Sequence, residues 1–298
     1  MRAHSRRTAL LALAPFAILI VVLGAYPAVQ VVRMSFSDVG VRYGAFEWAF
    51  AGFDNFRELA TDPVAGESVR ATLLFTLGAL PLSLVIGTVI ALAVDRARWL
   101  GGVARTALLW PVVMTPVVIS VLWLLLLSPT IGAVNRVLDS LGLPEQGWLG
   151  SGTGAMLSVI AVDVWHWTPL VFLIVYTALR NVDGSVVEAA RLDGAGETRL
   201  VWHVVLPMIA PAIAAAAVIR LVMCVKAFDE MYLLTKGGPE HATTLVSLHI
   251  RTLVFDDRAL GTGAAFSLLV VLSLAAGLGV VRLAQRSRTV FIGRREQA

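Results

Sequence analysis

Few residues of this chain have a type and setting that can do chemistry. Asp163 stands inside an otherwise apolar run over 154–179, and an acid at that depth faces a cavity or a partner rather than lipid. Trp167 lies four residues on, hence on the same face of a helix. A carboxylate beside an indole can hold a sugar, the acid accepting hydroxyl protons while the ring packs on apolar sugar faces. Two plainer readings stand beside it. Asp163 pairs with Arg220 or Lys226 as a structural bridge, and Trp165 and Trp167 anchor a helix at a membrane interface. Lys226 and Glu230 have the spacing of an ion pair on one helix. Met223 and Asp229, with Phe228 and Tyr232, are either pathway surface or packing against a second subunit. His166 and His203 read as packing or interfacial residues.

Enzymatic chemistry has little to stand on. The five histidines show no ligand spacing, and Cys224, the single cysteine, excludes an intrachain disulfide and a cysteine metal cage. Gly237-Gly238-Pro239 lacks the Lys-Ser/Thr that a phosphate cradle requires. The chain is read as non-catalytic, with no metal and no cofactor of its own. Nucleic acid is not an expected partner, because the terminal arginines are explained by anionic lipid.

The most distinctive stretch is Glu188-Ala189-Ala190-Arg191-Leu192-Asp193-Gly194-Ala195, with Leu206-Pro207 and Pro211 beyond it. Residues 186–192 favour a helix, and Gly194 follows where helices commonly end in a left-handed turn. A second helical stretch starts near Gly196. Ala189 and Ala190 leave a nearly bare surface beside one acid, a shape suited to docking in a partner's groove.

Those residues must be positioned by membrane-spanning helices. Of 298 residues, 58% are hydrophobic and 15% charged, against about a quarter charged in soluble domains. Charge-bounded apolar runs at 8–32, 71–94, 106–131, 154–179, 200–225 and 260–281 reach the ~20 residues a spanning helix needs. The first is too long for a signal-peptide core, and Tyr26-Pro27 offers no small-residue cleavage site, so it reads as a retained anchor. The expected fold is an all-α membrane protein of six transmembrane helices, with the polar loop 180–199 between the fourth and fifth. With both termini cytoplasmic, the inner segments carry Arg2, Arg6, Arg7, Arg96, Arg98, Arg105, Arg180, Arg191, Arg199, Arg282, Arg286, Arg288, Arg294 and Arg295. These are fourteen of 24 basic residues, a modest bias in the sense of the positive-inside rule.

The order Glu-Ala-Ala, three residues, Gly, nine residues, an aliphatic residue, one more, then Leu-Pro resembles the signature loop of permease subunits of ATP-binding-cassette importers. Glu188, Gly194, Val204, Leu206 and Pro207 fill it. The resemblance continues through Ser35-Phe36-Ser37, Gly52-Phe53-Asp54-Asn55-Phe56, Trp110-Pro111, Gly132-Ala133-Val134-Asn135 and Trp148-Leu149. Trp165-His166-Trp167-Thr168-Pro169 and Leu234-Thr235-Lys236-Gly237-Gly238-Pro239, with Thr243, complete it. Together these are similar to permeases of the maltose and glycerol-phosphate importer type. Departures are Val182-Asp183, where the family often has Ile-Pro, and Lys236, where Gly is usual.

The resemblance implies a multi-pass subunit of a bacterial inner membrane, paired with a second homologous permease, an ATPase dimer carrying ATP and Mg, and an extracellular solute-binding protein. It implies an ATPase contact through Glu188, Ala189, Ala190, Asp193, Gly194, Ala195, Leu206 and Pro207, and a sugar as solute. The same importer class for a glycerol phosphodiester is an alternative. Another is an ion-coupled secondary carrier using Asp163 as its relay.

Overall fold

The computed structural model describes residues 12–16, 18–42, 45–97 and 101–295. Arg2, Arg6, Arg7, Arg98 and the first residues of the 8–32 run lie outside the described residues. In chain order the elements are α1 (Ala12–Ser35), β1 (Ser37–Arg42), β2 (Ala45–Phe50), α2 (Asp54–Thr61) and α3 (Pro63–Arg96). Then come α4 (Gly101–Val113), α5 (Pro116–Leu126), α6 (Ala133–Ser140), α7 (Gly152–Arg180), α8 (Gly184–Leu192) and α9 (Glu197–Val225). The last are α10 (Asp229–Leu234), α11 (Val246–Arg251) and α12 (Leu260–Arg295).

Among the described residues, five helices are long and apolar enough to cross a membrane: α1, α3, α7, α9 and the Leu260–Val280 part of α12. The expected span at 106–131 is not one helix. Thr106–Val113 and Pro116–Leu126 are bent by 101° at their junction. Thr115 is the cause: a residue before proline is driven from helical geometry by clash with the ring, and it sits at φ −71°, ψ 146° while its hydroxyl caps Val118 N. The chain is mostly helical, as expected, with one departure: β1 and β2 pair antiparallel, Val39 opposite Trp48 and Ser37 opposite Phe50.

The chain divides into two compact units, Met1–Pro63 with Ile250–Ala298, and Val64–His249. In the first, α1 and α12 pack together, and the hairpin is tied to the end of α1. Asn55 on α2 donates to the carbonyls of Ser35 (3.0 Å) and Ser37 (2.9 Å). Such a tie is needed, since an isolated two-stranded hairpin is marginal in water. Gly261 opens α12 where a Cβ would stand 2.4 Å from the Ser37 carbonyl oxygen.

In the second unit α7 is the axis, with α4, α9 and α10 packed on it. Of its most apolar window 67% is buried, against 22% for α3 and α9, as expected of a helix apolar all round. On α3, Gly78 and Gly87 let the α7 side chains approach: added Cβ atoms would meet Ile160 Cδ1 at 2.7 Å and Val171 Cβ at 2.8 Å. One apolar cluster gathers Phe75, Val159, Val162, Met231 and Leu245, and another Phe172, Val175, Ile209 and Ala216. In α1 and α9 π-helical turns, Val21–Ala25 and Val201–Val205, precede Pro27 and Pro207. Proline cannot donate to the helix ladder and crowds the carbonyl four residues back, and the wider turn relieves both.

Candidate functional site

Between the two apolar clusters of the second unit runs a buried polar seam. On α7 it runs from Asp163, among the last residues of the first cluster, to His166, on α3 it falls after Ala79, and on α9 between Ala216 and Cys224. Arg220, with no exposed surface, donates to the carboxylate of Asp163, itself 2% exposed. Its Nε donates to Ser83 Oγ at 3.2 Å, and that hydroxyl donates to Leu80 O at 3.0 Å. One turn along α7, His166 Nδ1 lies 2.9 Å from Glu230 Oε1, both side chains buried. The His166 ring stacks on Trp167 at 4.3 Å between centroids. Two pairs therefore tie α7 to α9, to α3 through Ser83, and to α10. Buried charges need this arrangement, since removing either partner strands the other in low dielectric.

Of the partners the sequence offered Asp163, the structure uses Arg220 rather than Lys226. Glu230 is committed to His166, not to Lys226. The helical i,i+4 geometry that would pair Lys226 with Glu230 does not exist, because α9 ends at Val225, with Lys226 as its cap, and α10 begins at Asp229. Trp167 is half-buried beside His166, Met223 half-buried on α9, and Asp229 exposed at the start of α10. The role of His166 was missed. The available signal was its position three residues from Asp163, on the same helix face.

A second constellation lies on the surface. Asp183 caps α8, its carboxylate accepting from Ser185 N at 2.9 Å, a bond that holds its carboxyl below the usual carboxylate range. The other end closes with Ala195 N donating to Ala190 O and Gly194 N to Arg191 O, both at 3.0 Å. This is a Schellman closure with Gly194 at φ +82°. Asp193 is thus the cap residue, Gly194 supplies the left-handed turn, and Ala195 follows it. Glu188, Ala189, Asp193 and Gly194 are exposed, Ala190 and Ala195 half-buried, and Leu192 is 89% exposed. Leu206 packs on the apolar cluster and Pro207 is exposed, just past the π turn of α9. Glu197, the first residue of α9, accepts from Arg191 of α8 at 3.0 Å and from Arg96 of α3 at 3.2 Å. A cleft of about 420 Å³ lies here, with Glu188, Arg191, Arg96 and Glu197 among its walls.

The Leu234–Pro239 stretch forms a hydroxyl-bonded turn. Thr235 Oγ1 and Thr243 Oγ1 are 2.6 Å apart, and Thr244 Oγ1 donates to Gly237 O at 2.9 Å. At Gly237, φ +85°, a Cβ would stand 2.4 Å from Thr244 Oγ1. Lys236 adopts φ +50°, a region that favours glycine.

Comparison with known proteins gives this geometry a context. The family model described as "binding-protein-dependent transport system inner membrane component" matches residues 83–289. The diacetylchitobiose uptake system permease protein DasB of Streptomyces coelicolor is 31% identical, covering 92% of this chain and 86% of its own length. The sulfoquinovosyl glycerol transport system permease protein SmoG of Agrobacterium fabrum is 29% identical, with 89% and 86% covered. The sn-glycerol-3-phosphate transport system permease protein UgpA of Pectobacterium atrosepticum is 32% identical, with 78% and 79% covered. A solved bacterial ABC transporter involved in the import of the acidic polysaccharide alginate, at 22% identity, has the same fold, with a TM-score of 0.82 over 96% of this chain and 98% of that one. With the family model matched over well more than half its length, this chain belongs to the binding-protein-dependent transport system inner membrane components, the permease subunits of ABC importers.

Proposed function

We propose that this permease passes a sugar, or a related solute such as a glycerol phosphodiester, from an extracellular binding protein to the cytoplasm, driven by an ATPase that docks on α8. In this reading six spans place both termini and α8 on the cytoplasmic side. A second homologous permease completes the pathway, and two ATPase copies hold the ATP and Mg. ATPase closure pushes on α8, and because α8 is bounded by the ends of α7 and α9, the push enters the bundle through those helices and opens it outward. Hydrolysis resets it. The carbohydrate class is supported by the relatives named for diacetylchitobiose and sulfoquinovosyl glycerol, the phosphodiester alternative by the one named for glycerol 3-phosphate.

One observation carries the proposal. α8 is closed at both ends by its own residues, Asp183 and Gly194, yet leaves Glu188, Ala189 and Leu192 uncovered. A helix that is locally complete yet leaves Ala189 and Leu192 bare beside an acid is built to be gripped, and Glu188 offers a charge-assisted contact to basic groups of the partner. An ion-coupled carrier is less well supported, because the acid it would use, Asp163, is already held by Arg220.

The test is the importer rebuilt in proteoliposomes with its binding protein. Glu188→Lys lies on the surface, and Gly194→Val meets no neighbouring atom but strains the left-handed turn at φ +82°, so it distorts the end of α8 locally while the spanning helices of both variants are expected to insert and fold. Solute-stimulated ATP hydrolysis should no longer drive uptake in either. Normal uptake by both would remove α8 as the coupling element.

A further inference from the structure

The hairpin that follows α1 has two unlike faces. Alternate residues of a strand point to opposite sides, and directly paired residues share a side. Ser37, Val39, Trp48 and Phe50 therefore share one side, while Asp38, Glu47 and Ala49 share the other. The polar side is exposed at Asp38 and Glu47. The first side is covered only in part: Ser37 and Val39 are buried, Trp48 is half-buried, and Phe50 is 85% exposed. Phe53, next to the hairpin, is 65% exposed although its ring contacts Phe36 and Phe56.

The direction of the aromatic side is set by Arg33. This residue lies in the last turn of α1, and its guanidinium sits 4.4 Å from the centre of the Trp48 ring. The side bearing Trp48 and Phe50 thus looks back along the spanning helix, and the side bearing Asp38 and Glu47 looks away. The depth is equally constrained. Ser37 begins two residues past the end of α1 and is locked by its hydroxyl bond to Arg33 O at 2.9 Å. The second apolar helix of the same unit, α12, starts against the Ser37 carbonyl. Two helix ends therefore fix this hairpin at the level where hydrocarbon gives way to headgroups, the level that Trp and other amphipathic rings favour.

We propose that the hairpin is an interfacial anchor, with Trp48, Phe50 and Phe53 resting among lipid headgroups and acyl-chain ends while Asp38 and Glu47 face water. The occupant of the uncovered aromatic side is the bilayer. On α1, the helix that carries the stacked Arg33, Tyr26, Val29 and Val32 are also exposed. The stacked Arg33 is the cation expected beside lipid phosphate.

The experiment uses the intact importer in nanodiscs of phosphatidylethanolamine and phosphatidylglycerol. Nitroxide labels are placed at Phe50→Cys and, on the opposite side, Glu47→Cys, with the parent chain, whose Cys224 is buried, as the blank. Collision of the residue 50 label with dissolved oxygen should exceed its collision with a water-soluble nickel chelate several-fold, and residue 47 should show the reverse. A photo-reactive p-benzoylphenylalanine at position 50 should crosslink to lipid. Equal nickel access at both positions would place the aromatic side in water and overturn the proposal. Access by neither reagent, with crosslinking to another subunit, would assign the surface to a protein partner and overturn it equally.

Discussion

At the scale of single residues the buried seam is the most demanding feature of the chain. Arg220 has no exposed surface, and its counterion is Asp163. Asp163→Ala leaves that guanidinium charged and unpaired, which costs about 3–5 kcal/mol. The double variant Asp163→Leu with Arg220→Met removes both charges and should regain most of the loss. Thermal unfolding of the purified importer distinguishes the cases, and equal losses in single and double variants would show that stability does not reside in the pairing. The seam was half legible. An acid within an apolar run announces a partner, and Arg220 was one of two cations at hand. Which cation is used depends on how α9 lies against α7, a contact between distant segments that spacing along the chain does not give.

At the scale of elements, the contact of α3 with α7 rests on absent side chains. A methyl group at Gly87 would stand 2.8 Å from Val171 Cβ and 3.1 Å from the Phe172 backbone nitrogen, and overpacking of this kind costs about 1–3 kcal/mol. Gly87→Ala should therefore lower the melting temperature of the purified protein. Gly66→Ala, on the same helix with nothing within 4 Å, should leave it unchanged or raise it, as alanine is favoured over glycine in helices by up to about 1 kcal/mol. A similar fall for both would show that α3 is sensitive along its whole length and not at this crossing. Composition identified the apolar runs, but not the break in the third. Pro116 was visible in the sequence. Prolines at 81, 169 and 211 leave their helices continuous, so proline alone does not announce a 101° bend. The conformation adopted by Thr115 makes the difference.

At the scale of the whole molecule, the number of crossings decides which face each loop meets. Five long helices alone would put the termini on opposite sides of the membrane. The bent pair α4–α5, counted as one crossing, returns them to the same side. A reporter that fluoresces only in the cytoplasm, fused in turn to each terminus of the full chain, should be active at both ends. Activity at the amino terminus only would reduce the count to five and place α8 outside, removing the face on which the coupling proposal depends, whereas activity at the carboxyl terminus only would reduce the count to five and leave α8 cytoplasmic.

The apolar runs, the scarcity of charge and the ordered Glu188–Pro207 pattern were determined by sequence alone. Hydrophobicity over some twenty residues and a glycine-closed turn are local properties, written in adjacent positions. The tertiary structure decided the pairing of His166 with Glu230, 64 positions apart, the choice of Arg220 for Asp163, and the hairpin tied to Asn55. Each of these satisfies a buried polar group with a partner brought near only by the chain's return, and such proximity is a property of the folded bundle.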